Sequence, residues 1–377
     1  MYLFIILQTI IFIFILKYLT QTIYDLDKNK FIKLKGIDYK YNKEKKEKSI
    51  LGVELNFDNI IDDKHYELIK KRFYDIIKND STFILKNIPG TSIYLEKINY
   101  NERLKCIIEN ENINTLNDAK KFINKNKLNK IIIINKHNLI LYWNHAFMDG
   151  MYLKKLISQL LNKECNISKN IVSKFNPLLF IKSLFFKENI YNNKGFLKND
   201  LQEPFVYTFK INENIIKSQP NFINFNTNFT KYILDFLQID NATIGTLIPS
   251  FIYNHNSFNN FCILPFFYNN IMNSNDIQNK QINNYCYSLL SNLYLNNYHF
   301  FDLINFYINI NIDIIFSGLS ICKNKGQIGN LNINTVKADL PFISSKINVM
   351  SLKLKDEIHI TLTIMDSNIA NIIKNKI

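Results

Sequence analysis

Residues 130–161 read KIIIINKHNLILYWNHAFMDGMYLKKLISQLL. Ile131–Ile134 and Leu139–Trp143 are two short runs of β-branched, aliphatic and aromatic residues. Between them, Asn135-Lys136-His137-Asn138 has the composition of a turn, so the pair predicts a β-hairpin. The second run enters Asn144-His145-Ala146-Phe147-Met148-Asp149-Gly150, and Met151–Leu161 after it predicts a helix. Asp149 and Gly150 thus stand where a loop becomes a helix start, and glycine there lets the backbone turn tightly. With 6 His and 9 Gly in 377 residues, the pattern H-x-x-x-D-G arises by chance in about one such chain in a hundred. A hairpin before it and a helix after it raise its weight.

Outward from this stretch, strands and helices alternate. SILGVELNF (49–57) predicts a strand, and residues 62–80 an amphipathic helix with Tyr66, Ile69, Phe73, Ile76 and Ile77 on one face and Asp62 or Asp63 as its cap. TSIYLEKI (91–98) predicts a strand and NDAKKFINKN (117–126) a short helix. Residues 163–228 are irregular. Within them KFNPLLFIKSLFFK (174–187) is apolar, and Lys174, Lys182 and Lys187 do not share one helical face. That argues against a helix in a membrane surface and leaves a buried or lid segment as good a reading.

The C-terminal part resumes the alternation. FTKYILDF (229–236) predicts a strand, NATIGTLIPSFIYN (241–254) a helix capped by Asn241, and FCILPFF (261–267) a buried strand. SLLSNLYL and the FFDLINFYI region predict helices, IDIIFSGLSI (312–321) a strand, and VMSLKLKDEIHITLTIM (349–365) a strand broken at Lys355–Glu357. Two blocks emerge, 49–162 and 229–377, with no internal repeat.

Composition bounds the class. A chain of 377 residues with 47% hydrophobic and 14% aromatic residues can bury a core of two lobes. The net charge of +14 favours partners that carry phosphate. Nucleic acid is disfavoured, because the lysines are spread along the chain and neither zinc-finger spacing nor an aromatic RNA-binding signature is present. Cys106, Cys165, Cys262, Cys286 and Cys322 are odd in number and never form C-x-x-C, which argues against a disulfide framework and a zinc site. The six histidines include no H-E-x-x-H or i, i+4 pair, so no metal is expected.

Met1–Leu19 is almost wholly apolar and free of acids. At 1.5 Å per residue such a helix just crosses a bilayer core of roughly 30 Å. No basic region or small-residue cleavage site marks a signal peptide. Lys17, Lys28, Lys30, Lys33, Lys35 and further lysines follow the run, which places the body on the cytoplasmic side. The expectation is a single-pass membrane protein: anchor 1–20, basic linker 21–48, a first lobe 49–165, a crossover or lid 166–228 and a second lobe 229–377.

LILYWNHAFMDG resembles the active-site strand and loop of the chloramphenicol acetyltransferase-like superfamily, whose members include wax-ester and diacylglycerol acyltransferases, alcohol acyltransferases and condensation domains. VELNFDNIIDDKHYELIKKRFYDIIKND resembles the family's opening strand and helix. DNATIGTLIPSFIY followed by FCILPFFYNN resembles a helix-then-strand unit that opens the second lobe. DIIFSGLSI and SLKLKDEIHITLTIMD resemble its last strands. Asn144 stands where many relatives carry a second histidine, and Tyr268-Asn269-Asn270 where many carry an arginine. Only two arginines exist, Arg72 and Arg103, so Arg72, Arg103 or a lysine is the expected partner of Asp149.

The resemblance implies an α/β fold, a two-lobed sandwich with a tunnel that admits acyl-CoA and acceptor from opposite ends. It implies His145 as general base, Asp149 as the residue that orients its loop, Gly150 as the turn into the helix and Ser317 as an oxyanion donor. No cofactor is bound; acyl-CoA is a co-substrate, and the acceptor is an alcohol, with the anchor pointing to a lipidic one. Histidine suits the role because its ordinary pKa of about 6.5 lies near working pH. No acyl-enzyme is expected, and the chain has no G-x-S-x-G. A soluble alcohol, amine or carrier-bound acceptor, and an inactive membrane-held scaffold, are the alternatives.

Overall fold

Lys130–Ile134 and Asn138–Asn144 form the expected hairpin, and every residue of both strands is buried. The computed structural model describes residues 31–34, 50–79, 85–87, 94–97, 106–108, 113–125, 130–145, 150–161, 175–188, 195–219, 222–249, 261–296, 311–320, 327–339, 345–354 and 356–376, with a few isolated positions between. The elements begin with β1 (Phe31–Lys33), β2 (Ile50–Phe57), α1 (Asp63–Asn79), β3 (Leu85–Asn87), β4 (Tyr94–Lys97) and β5 (Ile107–Ile108). Next come α2 (Leu116–Lys125), the hairpin β6–β7, α3 (Gly150–Leu161), α4 (Pro177–Phe186), β8 (Phe205–Asn212), α5 (Glu213–Lys217) and α6 (Phe225–Phe236). Then follow β9 (Asn241–Pro249), β10 (Phe261–Asn269), α7 (Ser274–Asn283), α8 (Tyr285–Asn296) and β11 (Ile314–Ser320). The chain closes with β12 (Gln327–Ile328), β13 (Leu331–Asp339), β14 (Ile347–Leu354), β15 (Glu357–Ile364) and α9 (Ser367–Lys374).

Two six-stranded sheets carry the fold, with strand orders β12-β13-β2-β7-β6-β5 and β10-β9-β11-β14-β15-β8; β1-β4-β3 form a small third sheet. The runs of β6 and β7 are apolar throughout because both faces of the first sheet are covered. Leu139, Leu141 and Trp143 join Phe73 and Ile77 of α1 and Leu156 and Leu160 of α3. Ile140 and Tyr142 turn the other way, onto Ala119 and Ile123 of α2. Gly52 of β2 lies opposite Tyr142. A Cβ at residue 52 would come within 2.4 Å of that ring, so only glycine lets the tyrosine lie across β2 and donate its hydroxyl to Asp339.

The sheets share one core. β13, late in the chain, pairs antiparallel with β2 from Ile333↔Phe57 to Asp339↔Gly52. From there the Ala338 amide donates to Thr361 Oγ1 of the second sheet at 3.1 Å. Met350, Leu352 and Leu354 of β14 lie in the same cluster as Val53, Leu55 and Trp143. Ile347 and Val349 point to the opposite face, against Ile360 and Leu362 of β15, Ile233 and Leu234 of α6 and Ile369 and Ile373 of α9. Each such fully buried side chain contributes about 1.5–3 kcal/mol. β8, from the stretch read as irregular, closes the outer edge beside β15.

Two local expectations fail. FTKYILDF is helical, not a strand: Phe229, Ile233, Leu234 and Leu237 recur at helical spacing and are buried, and the Asn224 side chain caps the helix by accepting from the Thr227 amide at 2.9 Å. Its aromatic and β-branched content favours a strand, but the spacing decides. The following segment is a strand, not a helix, and pairs with β10 from Asn241↔Asn269 to Pro249↔Phe261. Thr243, Ile244, Gly245 and Thr246 are poor helix formers, and Asn241 opens the strand instead of capping a helix. This part of the chain therefore runs as a helix and then a hairpin. Met1–Leu19 and the FFDLINFYI region lie outside the described residues, among which no helix is long and apolar enough to cross a membrane.

Candidate active site

The hairpin turn that leads to the motif is held from both sides. The Asn135 amide donates to the Asn138 carbonyl at 2.9 Å. The Asn138 side chain donates to the Asn114 carbonyl at 2.7 Å and to Glu54 Oε1 at 3.3 Å. β7 then runs without irregularity in its pairing to Asn144, which lies opposite Ile50 and is buried. His145 is the next residue and is 8% exposed. Its ring meets the Phe261 ring edge-on, with centroids 6.4 Å apart and planes at 66°. Phe261 is the first residue of β10, so the motif histidine of the first sheet stands against the edge strand of the second.

Gly150 opens α3, which packs between the sheets against α1, β11 and β12. Asp149 lies outside the described residues, as do Ala146, Phe147 and Met148. Arg72 is accounted for elsewhere: its Nη1 donates to the carbonyls of Leu160 and Leu161, the last turn of α3. Roughly 15 Å of helix separates that turn from Gly150, and Asp149, the residue that Arg72 is one candidate to pair with, lies outside the described residues. Arg103 lies outside the described residues.

Ser317 is half-buried in the middle of β11. β11 pairs in parallel with β9 over Ile314–Phe316 and with β14 over Ile314–Ser320. The two neighbours therefore part at Ser317, on the strand that α3 touches. The structure brings the helix after His145 and the strand of Ser317 into one interface between the sheets.

Other chemistries find little support here. Cys262 and Cys286 are buried and Cys106 half-buried, and none of the three is in a disulfide. Burial pushes Cys106 and Cys262 up to about 12, which keeps them protonated and weakly nucleophilic at neutral pH. Among the described residues no three His, Cys, Asp or Glu side chains gather as a metal site. The contact the sequence did not reveal is Phe261, because nothing local ties residue 261 to residue 145.

No protein-family model matches the chain, and no curated protein does. Solved structures do. A trichothecene 15-O-acetyltransferase from Fusarium sporotrichioides is similar with a TM-score of 0.58 at 9% identity, over 91% of this chain and 94% of that one. The first condensation domain of the CDA synthetase gives 0.57 at 6% identity, over 92% and 94%. The starter condensation domain of rhizomide synthetase, solved with C8-CoA and Leu-SNAC, gives 0.54 at 7% identity, over 90% of each chain. At such identities the likeness is one of fold. This chain has the fold of condensation domains and of that acetyltransferase, as its motif and element pattern led us to expect.

Proposed function

We propose that this chain is an acyltransferase that moves an acyl group from acyl-CoA to a hydroxyl acceptor, with His145 as general base. The observation that carries the reading is His145 itself, a buried imidazole at the end of the motif strand that faces the second sheet. The acetyltransferase and condensation-domain fold over nine-tenths of the chain supports it.

In this reading the acceptor hydroxyl gives its proton to the imidazole as its oxygen attacks the thioester carbonyl. The carbonyl oxygen becomes an oxyanion, to which the Ser317 hydroxyl donates. Collapse breaks the C–S bond, and the imidazolium returns the proton to the departing thiolate. Asp149 orients the loop, Gly150 allows the turn into α3, and Asn144 ends the strand that carries the base. The rhizomide starter domain, solved with C8-CoA, supports acyl-CoA as co-substrate. The apolar run Met1–Leu19 supports a lipidic alcohol as acceptor, because a tether raises the local concentration of a substrate confined to the same bilayer.

The same reading takes residues 1–20 as a single membrane span, 21–48 as a basic linker and 49–165 and 229–377 as cytoplasmic lobes joined by 166–228. Carbonate extraction and protease treatment of sealed vesicles test this: the chain should resist extraction with its body digested from the cytoplasmic side. A chain that washes off, or a body protected in the lumen, contradicts it.

A second reading, transfer to an amine or carrier-bound substrate, is favoured by the condensation domains among the similar structures. A panel of acyl-CoA donors against long-chain alcohols, soluble alcohols and amines separates the two. Ester formation on long-chain alcohols supports the first and amide formation alone the second. No thioester consumption with any acceptor contradicts both and leaves an inactive scaffold.

A further inference from the structure

An ordinary surface helix buries its apolar face and exposes its polar one. α4 does the reverse. Ser183 is its only buried residue, while Leu178, Ile181, Leu184, Phe185 and Phe186 are exposed, Leu178 at 77% and Phe185 at 79%. At about 100° per residue, Ile181, Phe185 and Leu178 lie opposite Ser183, with Leu184 on one flank and Lys182 on the other. The apolar ridge is thus continuous and points away from the body. Leu290 and Leu293 of α8 are also exposed.

Hydrogen bonds fix this orientation along the whole helix. At the start, the Asn176 side chain accepts from the Leu178 and Leu179 amides at 3.1 Å, and its own amide donates to Tyr285 Oη at 3.0 Å. In the middle, Ser183 Oγ accepts from the Cys286 amide at 2.9 Å and donates to the Phe180 carbonyl at 2.7 Å. Past the end, the Glu188 amide donates to Asn284 Oδ1 at 2.9 Å. The Glu188 carboxylate accepts from Asn284 Nδ2 at 2.9 Å, the Phe267 amide at 3.1 Å and Lys280. Rolling the apolar ridge inward would break all three attachments, so α4 is a fixed ridge and not a lid.

We propose that α4 docks on the surface of an anionic lipid bilayer, lying in the headgroup region with Ile181, Phe185 and Leu178 downward. Ten residues are too few to span a bilayer core of roughly 30 Å, but they suit a helix buried about 5–10 Å into the interface. The exposed Lys182 stands at the flank of the ridge, where a long side chain reaches up to lipid phosphates, while Lys187 at its end holds its Nζ 6.0 Å from the Tyr287 ring centroid. α4 itself contains no acidic residue. The chain carries +14, so a second copy would set lysine against lysine on the same face, whereas an anionic membrane complements it. This corrects the view that the lysines of 174–187 argue against an interfacial helix: with Ser183 turned inward, Lys182 falls at the rim. The inference does not rest on the acyl-transfer reading.

The test uses the full chain in vesicles of phosphatidylcholine with and without phosphatidylserine. Trp143 is the only native tryptophan and is buried, so Phe185→Trp adds an indole that reports on the ridge. Its emission should shift to shorter wavelength on adding anionic vesicles and be quenched by brominated acyl chains. Ile60→Trp, at another exposed site, should stay unquenched. Lys182→Gln should lower the docked-to-undocked ratio about fivefold. The proposal is overturned if the Phe185→Trp indole is unquenched, or if Ile60→Trp is quenched equally. It is also overturned if the indole is already blue-shifted without vesicles, which would mean that another part of the chain or a second copy covers the ridge. Equal quenching in neutral vesicles would overturn the anionic surface. Acyl-CoA turnover on a soluble acceptor, read on the same samples, keeps this outcome separate from that of the proposed activity.

Discussion

The rings of His145 and Phe261 meet edge to face at 6.4 Å, although one follows the last residue of β7 and the other begins β10. The contact ties the candidate base to the opposite sheet, so its orientation depends on how the two sheets are docked. Aromatic pairs of this geometry contribute about 0.5–1.5 kcal/mol beyond the area they bury. Phe261→Ala should therefore lower kcat by roughly 2- to 12-fold with the fold intact, while Phe261→Tyr should keep most of the rate. Steady-state kinetics with circular dichroism checks this, and an unchanged kcat would show that the ring does not position His145.

A buried carboxylate organises the second sheet. Asp313 is fully buried and accepts from the amides of Phe196, Leu197 and Thr243 at 2.9–3.3 Å, with Lys346 Nζ at 3.3 Å from Oδ1. Gly195, at φ +77°, lets the chain approach so closely; a Cβ there would meet Asp313 Oδ1 at 2.9 Å. Asp313→Ala leaves three amides without their acceptor and Lys346 with Asn311 Oδ1 alone, and should destabilise the protein by about 3–5 kcal/mol. Urea unfolding measures it, and a loss below about 1 kcal/mol would contradict the arrangement.

His359 makes stability pH-dependent. It is buried in β15, and burial pushes its imidazole down to about 4, with Lys210 adding to the effect and Glu357 opposing it. The unfolded chain takes up the proton near pH 6.5, while the folded chain does so only near 4. Stability from the neutral ring is therefore complete above pH 6.5 and lost as pH falls towards 4. The loss should reach about 3 kcal/mol at pH 4, since each tenfold in proton affinity is about 1.4 kcal/mol. His359→Leu should flatten the pH dependence of the urea midpoint over that window, and an unchanged slope would assign it to other groups.

Ser317→Ala tests the oxyanion role. A donor aimed at the oxyanion is worth roughly 10²–10³ in kcat, so a comparable fall is expected, with KM and thermal stability little changed. Wild-type kcat in this variant would reduce Ser317 to a residue of the strand.

How much of this the sequence reveals depends on the range of each contact. β6, β7 and α3 are legible because their apolar runs and turn are local, and His145 is legible because its motif is contiguous. α6 and β9 exchange identities because the strand-like composition of 229–236 masks its helical spacing, and because Asn241 imitates a cap. β13 alternates visibly, with Leu331, Ile333, Val336 and Ala338 buried. Its partner β2 lies far off in sequence, and no local signal says that β13 joins the first sheet. The same holds for Phe261 against His145 and for Asp313 against Phe196. The inward turn of Ser183 is likewise invisible until the Cys286 amide that it receives is known.

Acyl-CoA consumption by purified wild type and His145→Ala, with a hydroxyl acceptor present, tests the central claim most directly. A general base is worth about 10²–10⁴-fold, so His145→Ala should lose activity by that factor while keeping the wild-type unfolding midpoint to within what removal of one ring at the sheet interface allows. A folded His145→Ala protein that turns over acyl-CoA at the wild-type rate would contradict it.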